Sequence, residues 1–177
     1  MSGWQFIPLA VALAAGPPAP VTSKPRVATV APRATASITL SVTPATISFQ
    51  ATDPDSPADP GSSAAVVKWT SNSTVLRQWS LSVQPSATSF QGCPTVPVSA
   101  VTVTCTQATN ATLFGNGACS APAALTTSPQ TVASGNEGLG SGAYEVDLTF
   151  TLTDSWKYIA NSSPQCTLTV TYTSNLP

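Results

Sequence analysis

The sequence predicts an all-β domain, an antiparallel β-sandwich preceded by an extended N-terminal arm. Two observations carry that expectation. Side chains alternate over long stretches, above all in AYEVDLTFTL at 143–152 and QCTLTVTYT at 165–173. One face then takes Tyr144, Val146, Leu148, Phe150 and Leu152, and in the second run Cys166, Leu168, Val170 and Tyr172; this is the period of two that a half-buried strand requires. Between such runs lie segments rich in Pro, Gly, Asn and Asp, and outside the N-terminal leader no stretch has helical periodicity.

The elements follow in order. SITLSV at 37–42 and TISFQA at 46–51 are expected as short strands on either side of a Pro44 break. DPDSPADPGSS at 53–63 is turn chemistry, because Asp and Pro fix tight turns and cannot extend a ladder. VVKWTS at 66–71 places Val67 and Trp69 on one face, RQWSLSV at 77–83 does so with Trp79, Leu81 and Val83, and VTVTCT at 101–106 with Val101, Val103 and Cys105. The stretch from Thr109 to Pro129 reads as a loop with a weak strand in it, and SGNEGLGSG at 134–142 as a glycine-rich passage into the strong strand that follows. The expected core aromatics are Phe49, Trp69, Trp79, Phe150, Trp156 and Tyr172. Seven or eight short strands at these spacings point to an immunoglobulin-like sandwich with Greek-key connections.

Composition restricts the function more than it defines it. The 177 residues include no histidine, 7% are charged, and the formal net charge is −1. A chain without a basic stripe has nothing to draw it to nucleic acid. Ser and Thr number 23 and 26, so solubility rests on hydroxyls, as in proteins that live outside the cell and carry glycans. Cys93, Cys105, Cys119 and Cys166 are spaced 12, 14 and 47 apart with no histidine to complete a zinc site, which favours two disulfides in an oxidising compartment, extracellular or at the cell surface. Four cysteines allow three pairings; we favour Cys105 with Cys119, closing the long loop, and Cys93 with Cys166.

The N-terminus divides into a hydrophobic leader at 1–15, a proline-rich linker or arm at 16–36, and the sandwich domain at 37–177. Residues 4–15, WQFIPLAVALAA, resemble the apolar region of a secretory signal, though no Lys or Arg precedes them. They are too few to span a bilayer, which needs ~20. The rival reading retains the leader as an arm that adds a strand to a neighbouring subunit.

Three pieces carry a family resemblance: Gln78–Val83 (QWSLSV), Ser128–Gly135 (SPQTVASG), and Tyr144–Leu152 continuing through DSWKY to TLTVTYT. Together they resemble secreted bacterial and archaeal surface β-sandwiches of immunoglobulin-like, WxL-like, pilin-like or spore-coat-like type, over about residues 37–173. The resemblance implies a structural or adhesive part of an extracellular surface. Its partners would be copies of itself, and strand exchange through the arm would use Val21, Val27 and Val30 as the apolar face. The alternative is a monomeric cell-surface adhesive or carbohydrate-binding module.

Chemistry-bearing candidates are few, and no enzyme and no cofactor are expected. Without histidine the commonest general base is missing. Glu145 and Asp147 share one face of a strand and are read as a solvated outer surface. Asp53, Asp55 and Asp59 offer carboxylates for Ca²⁺ but lack the spacing of a known calcium loop. Asn72, Asn110 and Asn161 begin N-x-S/T tripeptides and are the glycosylation candidates. Trp156 and Tyr158 near Asp154 offer a sugar-stacking patch, against the simpler expectation of a core tryptophan at a sandwich corner.

Overall fold

Alternating runs become ladders in the computed structural model, which describes residues 39–49, 59–155, 158 and 166–175. In chain order the strands are β1 (Ser41–Thr43), β2 (Asp59–Pro60), β3 (Ala65–Ser73), β4 (Gln78–Pro85), β5 (Ser89–Phe90), β6 (Cys93–Pro97), β7 (Val101–Asn110), β8 (Ala118–Cys119), β9 (Ala123–Ala124), β10 (Gln130–Asn136), β11 (Gly140–Leu152) and β12 (Val170–Asn175). Every named pairing is antiparallel. One sheet has the order β1-β3-β11-β7-β9 with β2 added to β11, the second runs β12-β4-β10-β8, and β5 and β6 form a separate hairpin. A single 3₁₀ turn at Val98–Ala100 leads into β7, and no α-helix occurs among the described residues.

The inward faces of the two larger sheets meet in one core. Val67 and Trp69 of β3, Val101 and Val103 of β7 and Tyr144 to Phe150 of β11 come from one side, and Trp79, Leu81 and Val83 of β4 from the other. Trp69 stacks on Tyr144 with centroids 5.0 Å apart, and Trp79 meets both rings edge-on at 5.5 and 5.7 Å. Such offset and edge geometries suit the ring quadrupoles and add to the area the rings bury. Phe150 is buried as expected, while Phe49 and Tyr172 are only half-buried against the core; Trp156 lies outside the described residues.

Several elements differ from the sequence expectation. Residues 46–49 are not a strand: Ile47 and Phe49 do lean on the core, but the backbone meets only Ser62, through Ser62 N–H to the Ser48 carbonyl at 2.8 Å. The hairpin β5–β6 was not expected, because CPTVP carries two prolines, yet it buries Phe90, Cys93 and Val96. Nor was β10, whose register shifts between Thr131 and Ala133 so that the consecutive Val132 and Ala133 are both buried. A bulge of that kind erases the period of two. The C-terminal ladder begins at Val170, later than expected; Thr167 forms one isolated bridge with Gln91, and Cys166 is exposed.

Disulfides join Cys93 to Cys166 and Cys105 to Cys119, with Cα atoms 5.2 and 5.3 Å apart. The second depends on another register shift, between Asp147 and Leu148 of β11, which brings Cys105 to a half-buried position beside β8. Both bonds suit an oxidising compartment. No helix among the described residues is long and apolar enough to cross a membrane.

The bridges close chain separations of 73 and 14 residues, so loop entropy makes the longer one the more stabilising by roughly 1.5 kcal/mol. Denaturant unfolding of Cys93→Ser/Cys166→Ser and of Cys105→Ser/Cys119→Ser will show the larger loss in the first pair. A second prediction concerns alkali. Burial pushes the Tyr172 phenol up to about 12 from 10.0, so the unfolded chain gives up a proton that the folded chain keeps. The contribution of Tyr172 to stability is therefore present below about pH 10 and is lost as pH rises towards 12. Unfolding curves across that range will show a shallower fall in Tyr172→Phe.

Candidate functional site

Three connections leave the same end of the two sheets: residues 74–77 after β3, 111–117 after β7, and 137–139 between β10 and β11. The register requires this, since Ser73 pairs with Gly140, Asn110 with Tyr144, and Asn136 with Gln78. The last of these, 137–139, bonds to both others. Glu137 N–H donates to the Arg77 carbonyl at 2.7 Å, and Leu139 N–H to the Leu113 carbonyl at 2.8 Å. Gly138, at φ 75°, permits the close approach, because a Cβ there would overlap Thr112 Oγ1 and the Leu113 carbonyl.

Beneath these loops lies a polar network on the aromatic core. Glu137 is buried, and its carbonyl accepts from Asn110 Nδ2 at 2.8 Å, from the Tyr144 hydroxyl at 3.1 Å and from Thr112 Oγ1. The Ser71 hydroxyl stands 3.1 Å from both Glu137 Oε1 and the Tyr144 hydroxyl. Trp79 Nε1 donates to the Asn116 carbonyl at 2.9 Å, which ties the loop after β7 to the core. Burial raises the Tyr144 phenol above its ordinary value, and the nearby Glu137 charge raises it further, against hydrogen bonds with Ser71 and Asn110 that lower it.

Above the network, beside exposed Thr74, Arg77 and Asn116, apolar side chains also face outward. Val75, Leu76, Leu113 and Phe114 are the exposed large hydrophobic side chains of the described residues, and all four belong to this one end. Phe114 is 71% exposed and holds φ 63°, in a tight turn closed by Gly115 N–H to the Thr112 carbonyl at 3.2 Å. That backbone region suits glycine and is costly for a bulky residue, by about 1–2 kcal/mol. The sequence analysis missed Leu113 and Phe114; a bulky apolar pair directly before Gly-Asn-Gly was the available signal.

The expected site residues are scattered. Asn110 does not present a free amide for a glycan: both Nδ2 hydrogens are engaged, by the carbonyls of Asn136 and Glu137 at 2.8 Å each, and Oδ1 accepts from Thr112 N–H at 2.9 Å. Asn72 is exposed, and Asn161 lies outside the described residues. So do Asp53, Asp55 and the arm residues Val21, Val27 and Val30, while Asp59 falls in β2 opposite Leu152. No group of three metal-ligating side chains occurs among the described residues. Glu145 forms an ion pair of 2.8 Å with its cross-strand partner Lys68, and Asp147 has one buried oxygen, Oδ1, without a hydrogen-bond partner among the described residues. Tyr158 packs half-buried against the core, and Asp154 Oδ1 accepts from the Ser155 N–H at 2.7 Å. At the opposite end, Ser86 to Gln91 and Thr167 to Thr169 line a shallow opening of about 320 Å³ without an ionisable side chain.

No family model matches this chain, and neither does any curated protein or solved structure.

Replacing Asn110 by alanine strands the part-buried Thr112 N–H and removes one donor each from the Asn136 and Glu137 carbonyls, which keep others. At about 1–3 kcal/mol for a buried group left unsatisfied, a fall in melting temperature is expected, with faster amide exchange confined to residues 111–117 and 137–139. In the folded wild-type protein, peptide mapping by mass spectrometry will find no glycan on Asn110.

Proposed function

We propose that this protein is a non-enzymatic structural subunit of an extracellular filament, pilus or surface coat, built on an immunoglobulin-like Greek-key sandwich. Its N-terminal arm, with Val21, Val27 and Val30 as the apolar face, adds as a strand to a neighbouring copy. One observation carries the reading. The edge strand β1 spans three residues and pairs with only Val66, Val67 and Lys68 of the nine-residue β3. From Trp69 to Ser73, no strand lies on that side of β3 among the described residues. Trp69 Nε1, in the same stretch, is buried without a hydrogen-bond partner among them.

An exposed length of edge backbone is a template for another strand. Strand addition draws its affinity from backbone hydrogen bonds and apolar pockets, which suits a chain with 7% charged residues. The disulfides are compatible with life outside the cell. A catalytic reading has less to work with, since the chain has no histidine and Glu145 is held by Lys68.

Negative-stain electron microscopy of the purified protein tests this. Regular filaments or sheets are expected, and a chain lacking residues 1–36 should fold without forming them. Dispersed monomers from both proteins would refute assembly and turn the search to surface ligands such as glycans.

A further inference from the structure

The loop end described above has an exposed apolar surface, a strained aromatic side chain and a rigid polar base. The described chain begins at Thr39, just before β1. β1 is antiparallel to β3, with Thr43 opposite Val66 and Ser41 opposite Lys68. Read towards its N-terminus, β1 therefore runs in the direction of the Ser73 end of β3. Residues 16–38 can reach at most about 75 Å when extended, enough to carry the leader to a neighbouring molecule. The leader matches the surface chemically: residues 4–15 contain Trp4, Phe6, Ile7, Leu9, Val11 and Leu13 and no charge.

We propose that the loop end formed by Val75, Leu76, Leu113 and Phe114 is the docking site for the apolar leader, residues 4–15, of a neighbouring copy. This rests on the assembly reading above and names the contact that anchors the incoming arm. Burial of apolar side chains on both partners supplies the affinity. Phe114 is the principal anchor. Its ring is already exposed before a partner arrives.

The test uses the full chain. Phe114→Gly removes the anchor and also relieves the left-handed backbone, so the melting temperature should rise while self-association, read by analytical ultracentrifugation, weakens by about tenfold or more, the change expected from withdrawing one buried aromatic side chain. Alongside it, a chain with photoreactive p-benzoylphenylalanine at position 114 is mixed with ¹⁵N-labelled wild type and irradiated. Crosslinks from position 114 to residues 4–15 of the labelled chain are expected. Crosslinks confined to one chain, crosslinks between two loop ends, or a purified native protein whose mass lacks residues 1–15 would each overturn the proposal. Wild type and Phe114→Gly that polymerise equally would overturn this site and leave strand exchange standing. A wild type that stays monomeric would overturn the assembly reading, and this docking site with it.

Discussion

The stacking of Tyr144 on Trp69, with Trp79 edge-on to both, is the contact on which the architecture most depends. It joins β3 and β11 of one sheet to β4 of the other at a single point. The same three side chains reach upward. Tyr144 donates to the Glu137 carbonyl, Trp79 to the Asn116 carbonyl, and Ser71, two residues beyond Trp69, contacts both Glu137 and Tyr144. The loops at that end are thus set by the core, and their rigidity is a consequence of how the sheets pack.

That rigidity explains how Phe114 can hold an unfavourable backbone. The cost of a left-handed phenylalanine is of the order of 1–2 kcal/mol. Against it stand the bonds of Asn110 to Thr112 N–H and to two carbonyls, together with the Thr112 hydroxyl bond to Glu137. At about 1 kcal/mol net apiece, these offset the strain. The arrangement is over-determined from below, which is the condition under which strain persists in a folded chain.

How much of this was legible depended on whether a segment kept its period. β3, β4 and β11 alternate cleanly because each presents one face to the core and one outward, and their inward residues were assigned from the sequence alone. β10 was not, since its bulge turns Val132 and Ala133 to the same side. Residues 46–49 failed in the opposite way: Ile47 and Phe49 alternate and lean inward, but alternation reports burial and not a partner strand. The loop end was hidden for a third reason. Asn110-Ala111-Thr112 reads as a glycan acceptor and Gly115-Asn116-Gly117 as a generic turn; nothing local reveals that Asn110 spends its amide on a buried carbonyl 27 residues away.

The scarcity of charge connects these points. The ion pair of Lys68 with Glu145 is cross-strand and largely solvent-exposed, of a kind worth little to stability. Both the fold and any association must then rest on apolar burial and backbone hydrogen bonds, which added salt does not screen as it screens surface ion pairs. Such contacts are less selective than charged ones, because apolar surfaces accept many shapes. Selectivity here would come from geometry instead: a short edge strand that leaves part of β3 open, and an exposed aromatic ring on the loop after β7. The three-residue length of β1 and the left-handed turn at Phe114 are both departures from ideal local structure, and the length of β3 that β1 leaves open, Trp69 to Ser73, runs towards the end that carries Phe114. Local departures that coincide in space are where a fold gives up stability for contact.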